Sequence, residues 1–162
     1  MTSYLNSVTR NATIIITQTV DSETRTKIWD LVSQAYAAGG LPRVIAAKKI
    51  ITDALLRYRD LCQKGRIVQD DPSQIDKIRA MYATIWADRR KGDKVLAWGR
   101  VKRKRPTEGP PSGPDLVILS TASALGKSAQ VELLTFDHDF ILFSDEIQNE
   151  SGVVVFNAGV LS

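Results

Sequence analysis

Three short apolar runs rich in branched side chains constrain the architecture most: Thr13-Ile14-Ile15-Ile16-Thr17, Val131-Glu132-Leu133-Leu134-Thr135 and Val153-Val154-Val155-Phe156. The first reads as a strand buried on both faces, the habit of a parallel sheet covered by helices. The stretches between the runs carry apolar residues at three-and-four spacing, the period of a helix that buries one side. Strands separated by helices predict an α/β layer fold with a mainly parallel sheet flanked by helices. At 162 residues and 43% hydrophobic content the chain has room for a full core, and with no internal repeat a single domain over residues 1–162 is expected.

The helical segments have recognisable ends. With Asp21 or Ser22 as cap, Ile28, Leu31, Val32, Ala35 and Tyr36 form one stripe that stops at Gly39-Gly40, which places Glu23 in a first turn just beyond the first strand. Pro42 opens a longer helix with Val44, Ala47, Ile51, Ala54, Leu55, Tyr58 and Leu61 on one side and Gly65 as its stop. Asp71-Pro72-Ser73 starts a third helix, with Ile75, Ile78, Met81, Tyr82, Ile85 and Trp86 facing inward. Asp115 begins an apolar, Ala-rich helix, and Phe140 to Phe143 reads as a short helix or turn.

Charge is unevenly placed. The whole chain carries +4, yet Arg79 to Arg105 holds ten basic residues against Asp88 and Asp93. That stretch runs into Pro106 to Pro114, which can form neither helix interior nor central strand, so residues 98–114 are expected to be an exposed basic, Pro-rich loop. Trp98, Arg100, Lys102, Arg103, Lys104 and Arg105 suit contact with nucleic acid. There the cations grip phosphates and the ring stacks on a base, each stacked base contributing about 1 to 3 kcal/mol. The bland counterpart is a solvated loop. The single cysteine, Cys62, excludes an internal disulfide and reads as a buried bystander. With neither a signal-like start nor an apolar stretch approaching the roughly 20 residues needed to span a bilayer, the expected location is cytoplasmic, without a membrane role.

Ligands of open α/β sheets bind beyond the carboxyl ends of the strands. Glu23, Asp115, Asp137 and Asp139 all fall at such positions. Singly, each reads as a helix-capping or first-turn acid. Gathered in one notch, they call for a hard divalent cation, Mg²⁺ or Mn²⁺, to offset their charge. His138 has no nucleophile placed beside it for a triad. Ala124-Leu125-Gly126-Lys127-Ser128 lacks the early glycine and preceding strand of a phosphate-binding loop.

The order of these pieces, with Pro-Asp-Leu-Val-Ile-Leu-Ser-Thr-Ala (114 to 122), Leu-Leu-Thr-Phe-Asp-His-Asp-Phe (133 to 140) and Val-Val-Val-Phe-Asn (153 to 157), resembles a PIN-domain nuclease of the toxin and antitoxin type. Asp115 and Asp137 stand 22 positions apart, as in the family's pairing of a helix-opening Asp with a strand that ends Thr-x-Asp. The resemblance implies a three-layer fold and a metal-dependent ribonuclease. Glu23, Asp115 and Asp137 would be its catalytic metal ligands, Asp139 a supplementary ligand, and Thr135 the residue that orients the site. It also implies Mg²⁺ or Mn²⁺ as cofactor, RNA as substrate and an antitoxin-like protein partner.

One departure qualifies the likeness. The family's usual first strand and its terminal Asp have no counterpart, and Met1 stands where the Asp belongs. Three readings follow: the natural chain starts upstream, this copy is a catalytically impaired module that binds RNA or a protein, or a partner supplies the strand. A sheet lacking that strand is also expected to rearrange its pairing or to form a homo-oligomer.

Overall fold

A computed structural model describes residues 12–37, 41–87 and 113–160. The chain is mixed α/β and mostly helical, with short parallel strands in two small sheets. It divides into two compact units, one within Thr2–Asp70 and one spanning Asp71–Ser162.

In the N-terminal unit, β1 (Ile15–Thr17) leads into α1 (Gln18–Ala37), α2 (Leu41–Lys64) and β2 (Arg66–Val68). β1 and β2 pair in parallel, with Ile16 opposite Ile67. The Arg66 N–H donates to the Ile14 carbonyl at 2.9 Å and extends the pairing by one bond. Gly65 sits where the chain turns out of α2. A Cβ there would lie 3.0 Å from the Leu61 carbonyl oxygen and 3.1 Å from that of Ile14, so a side chain would require both backbone carbonyls to give way.

The first helix starts earlier than its periodicity suggests, and the cause is a distant cap. The Thr17 hydroxyl accepts from the Val20 N–H at 3.3 Å, while the Asp70 carboxylate accepts from the Thr19 N–H at 3.1 Å and from its hydroxyl at 2.8 Å. These groups satisfy the exposed N–H groups of the first turn, so the helix begins at Gln18 and Glu23 falls in its second turn. Asp21 does not cap. Its carboxylate takes the Tyr58 hydroxyl and the Arg25 guanidinium, which together hold it below the usual carboxylate range.

In the C-terminal unit, Asp71 accepts from the Ser73 N–H at 2.9 Å and caps a short 3₁₀ turn, Pro72–Gln74, that runs into α3 (Ile75–Ala87). α4 (Pro114–Leu125) follows, then β3 (Glu132–Thr135), α5 (His138–Ile141), α6 (Ser144–Ser151), β4 (Val154–Asn157) and a closing 3₁₀ turn, Ala158–Val160. β3 and β4 pair in parallel, with Thr135 opposite Asn157.

The core of this unit is contributed by α3 (Ile78, Met81, Tyr82, Ile85), α4 (Leu116, Leu119, Ala122) and the segment from Phe140 to Val153. Tyr82 and Phe143 meet edge to face, ring centroids 5.6 Å apart. Two buried hydroxyls tie α4 to the 3₁₀ turn. Ser120 donates to the Asp71 carbonyl at 2.5 Å and accepts from the Gln74 N–H at 3.0 Å, and Thr121 accepts from the Asp71 N–H at 2.9 Å. The middle of α4 is therefore held by hydrogen bonds on one side and apolar packing on the other.

Trp98, Arg100, Lys102, Arg103, Lys104 and Arg105 lie outside the described residues. Among the described residues, no helix is long and apolar enough to cross a membrane. Leu119, fully buried at the centre of α4, tests the core: Leu119→Ala should cost about 2–5 kcal/mol in urea denaturation followed by circular dichroism.

Candidate metal centre

Asp115 occupies the first turn of α4, directly after Pro114. Gly113, at the N-cap, adopts φ 61°, a left-handed conformation natural to glycine, and offers no side chain to cap the helix. The Asp115 carboxylate lies where the helix dipole favours negative charge. Its local sequence, Gly-Pro-Asp before a continuous apolar segment, makes this helix start abrupt and fixes the acid at its tip.

Asp137 and Asp139 are placed by the turn that follows β3. The Thr135 hydroxyl accepts from the Asp137 N–H at 2.9 Å, and the Asp137 carboxylate accepts from the Asp139 N–H at 2.9 Å. The Asp137 carbonyl then takes the N–H groups of Phe140 at 3.2 Å and Ile141 at 3.1 Å, which starts α5. One residue thus ends the strand, opens the helix and presents an acid. Asp139 is only 5% exposed, and its carbonyl receives the Tyr82 hydroxyl at 3.2 Å.

These placements bring Asp115, Asp137 and Asp139 together: one carboxylate oxygen from each lies within 4.8 Å of the others. An octahedral Mg²⁺ holds opposite ligands about 4.2 Å apart and adjacent ones about 3 Å apart, so the three oxygens come within range of one hard cation if they draw inward onto it. The donor set is entirely carboxylate oxygen, which disfavours zinc and copper. The cluster is able to hold a metal ion.

Tyr82 reports the field around these acids. Its phenol is pushed well above the ordinary value of 10.0, first by burial and then by the negative charges of Asp139, Asp115, Asp137 and Glu146. The sequence marks Tyr82 only as one member of an apolar helix stripe, which does not separate a core aromatic from one placed under an acidic cluster.

Asp139, expected as a supplement, is the most buried member of the cluster, and Thr135, expected to orient the site, accepts from the Asp137 N–H within the turn. Glu23 lies on α1 in the N-terminal unit, half-buried, and the three-aspartate cluster forms entirely within the C-terminal unit. A groove of about 510 Å³ lies elsewhere, between α1 and α2, and Cys62 is among its lining residues instead of being sealed in a core. In comparisons with known proteins, no protein-family model, no curated protein and no solved structure matches this chain.

Two outcomes follow. Mn²⁺ or Mg²⁺ should raise the thermal midpoint of the protein in scanning fluorimetry, and Asp137→Asn should remove that rise while circular dichroism stays unchanged. Above pH 10 the unfolded chain releases the Tyr82 proton while the folded chain keeps it, so stability falls by about 1.4 kcal/mol per pH unit for that proton. Tyr82→Phe should remove this share of the alkaline loss, read from denaturation midpoints between pH 9 and 11.

Proposed function

We propose that this chain is a metal-dependent ribonuclease of the PIN-like three-layer type, with Asp115, Asp137 and Asp139 holding Mg²⁺ or Mn²⁺. The observation that supports it is the gathering of three carboxylates from two separate places in the sequence, with oxygens within 4.8 Å, in the turn after β3 and at the tip of α4. Single capping acids explain each residue alone but give no reason for all three to meet.

A divalent cation held there supplies Lewis-acid polarisation of a phosphodiester and lowers the pKa of a coordinated water. The protein's own groups do the positioning. Thr135 fixes the backbone of Asp137, Asp137 fixes that of Asp139, and the Tyr82 hydroxyl anchors the Asp139 carbonyl from the core side. Such supporting contacts keep ligand oxygens in place as substrate arrives. Trp98 and the cations Arg100, Lys102, Arg103, Lys104 and Arg105 are assigned to the substrate backbone and one stacked base, giving RNA a basic partner that the acidic cluster cannot offer.

The test is cleavage of labelled single-stranded RNA by the full chain with Mg²⁺, with Mn²⁺ and with chelator. Metal-dependent cleavage that Asp115→Asn reduces by at least about 100-fold is the expected result. Cleavage unchanged in that variant rejects the assignment. RNA binding without cleavage, in a protein that still responds to Mn²⁺, identifies an impaired module instead.

A further inference from the structure

The turn that presents Asp137 also presents an aromatic ring that the fold does not bury. Phe136 stands between Thr135 and Asp137 and is 63% exposed, whereas Phe140 and Phe143, a few residues on, are buried. A lone exposed Phe is ordinary on a protein surface, so its meaning depends on what holds it and what lies beside it.

Its backbone is held on both sides. The Thr135 hydroxyl accepts from the Asp137 N–H at 2.9 Å, which closes a three-residue turn with Phe136 at its centre. Thr135 is also paired with Asn157 across the parallel ladder. The Asn157 side-chain oxygen accepts from the Gly159 N–H at 2.9 Å within the closing 3₁₀ turn. Gly159 borders the ring: a Cβ there would lie 4.0 Å from Phe136 Cε1, in van der Waals contact. The bonds that shape these turns use backbone groups and the side chains of Thr135 and Asn157, and none of them uses the Phe136 side chain. A polar residue would serve the fold at position 136 equally well.

The neighbour of this ring is one of the three clustered acids. Asp137 shares the 4.8 Å spread of carboxylate oxygens with Asp115 and Asp139. The Cα atoms of Phe136 and Asp137 are one peptide apart, about 3.8 Å. A phosphate seated at the cluster therefore has a base of its own strand within reach of the ring. The acids also decide which kind of group can grip RNA there. A Lys or Arg beside them would pair with the carboxylates and compete with the cation, whereas a neutral ring adds affinity by stacking and leaves the charges alone.

We infer that Phe136 is the platform on which the substrate base next to the cleaved phosphate stacks. The inference rests on the ribonuclease reading of the aspartate cluster, and it adds a contact at the cluster itself to those assigned to the basic segment. The ring does not touch the reacting atoms. It holds the strand in register, so that the neighbouring phosphate stays at the cluster. A base already paired and stacked within a duplex is not offered to it.

The full chain is assayed with Mn²⁺ on a labelled single-stranded RNA and on versions of that RNA in which one base at a time is replaced by an abasic ribose. Phe136→Ala should lower kcat/KM on intact RNA about tenfold, and Phe136→Tyr should retain it. One abasic position beside the cut should cost the wild-type protein a similar factor. Phe136→Ala should cut that abasic RNA no worse than intact RNA, because ring and base are partners in one contact. The rise in thermal midpoint with Mn²⁺ should be the same in Phe136→Ala as in the wild type; a diminished rise would make Phe136 a support of the cluster and overturn the platform role. The inference is also overturned by unchanged cleavage in Phe136→Ala, by equal losses in Phe136→Ala and Phe136→Tyr, or by losses that multiply when variant and abasic RNA are combined. If the wild type binds RNA without cutting it, the ribonuclease reading fails on its own, and the same cycle is read by fluorescence anisotropy. Equal affinity of wild type and Phe136→Ala then overturns the inference, and absence of RNA binding overturns both.

Discussion

Holding three carboxylates within one ion's reach is the constraint around which the C-terminal unit is organised. Acids so close raise one another's cost of ionisation, and a flexible turn would let them separate. Here separation is resisted by backbone hydrogen bonds. The Thr135 hydroxyl grips the Asp137 N–H, the Asp137 carboxylate grips the Asp139 N–H, and two further N–H groups close on the Asp137 carbonyl. The same bonds that satisfy the start of α5 orient the acids, so local structure and site geometry are one feature.

Packing carries that rigidity to the third acid. Asp115 sits at the tip of α4, a helix with seven of its twelve residues buried. Ser120 and Thr121 lock its middle to the backbone at Asp71 and Gln74, where neutral hydroxyls leave no buried donor unsatisfied. α4 also shares Leu116 and Leu119 with the core that receives Tyr82 and Phe143. Tyr82 connects the two halves, with its ring packed against Phe143 and its hydroxyl on the Asp139 carbonyl. A shift of α4 relative to α3 would therefore disturb both the core and the spacing of Asp115 from Asp139.

Much of this was legible in the residues. The runs at 13–17, 131–135 and 153–156 became β1, β3 and β4 or their immediate flanks, and the helix stops at Gly65 and starts at Pro72 and Pro114 stand where glycine and proline chemistry put them. Proximity of Asp115 to Asp137 followed from the habit of ligand sites at strand ends. What stayed hidden depends on contacts between distant residues. β2 has only Ile67 and Val68 as apolar members, and it pairs where Arg66 bonds Ile14 beside a glycine crowded by two backbone carbonyls. The early start of α1 depends on Asp70, 51 residues from Thr19, and no local pattern announces such a cap. The arrangement of strands as two separate parallel pairs is likewise a matter of which partners each strand finds, not of its own composition.

The two units obey different physical logic, and that difference bears on function. In the C-terminal unit polar groups are drawn inward and satisfied, which favours fixed geometry and suits a site where charge must be presented accurately. In the N-terminal unit large apolar groups such as Trp29 and Tyr36 are turned outward on helices whose polar contacts are spent at one end, around Asp21, Arg25 and Tyr58. Hydrophobic surface left in water is favourable only if something later removes it from water, whereas a carboxylate cluster gains from a cation without any change of packing. The exposed apolar surface and the carboxylate cluster draw on separate sets of residues. Each can then be altered by surface substitution without passing through the core that supports the other.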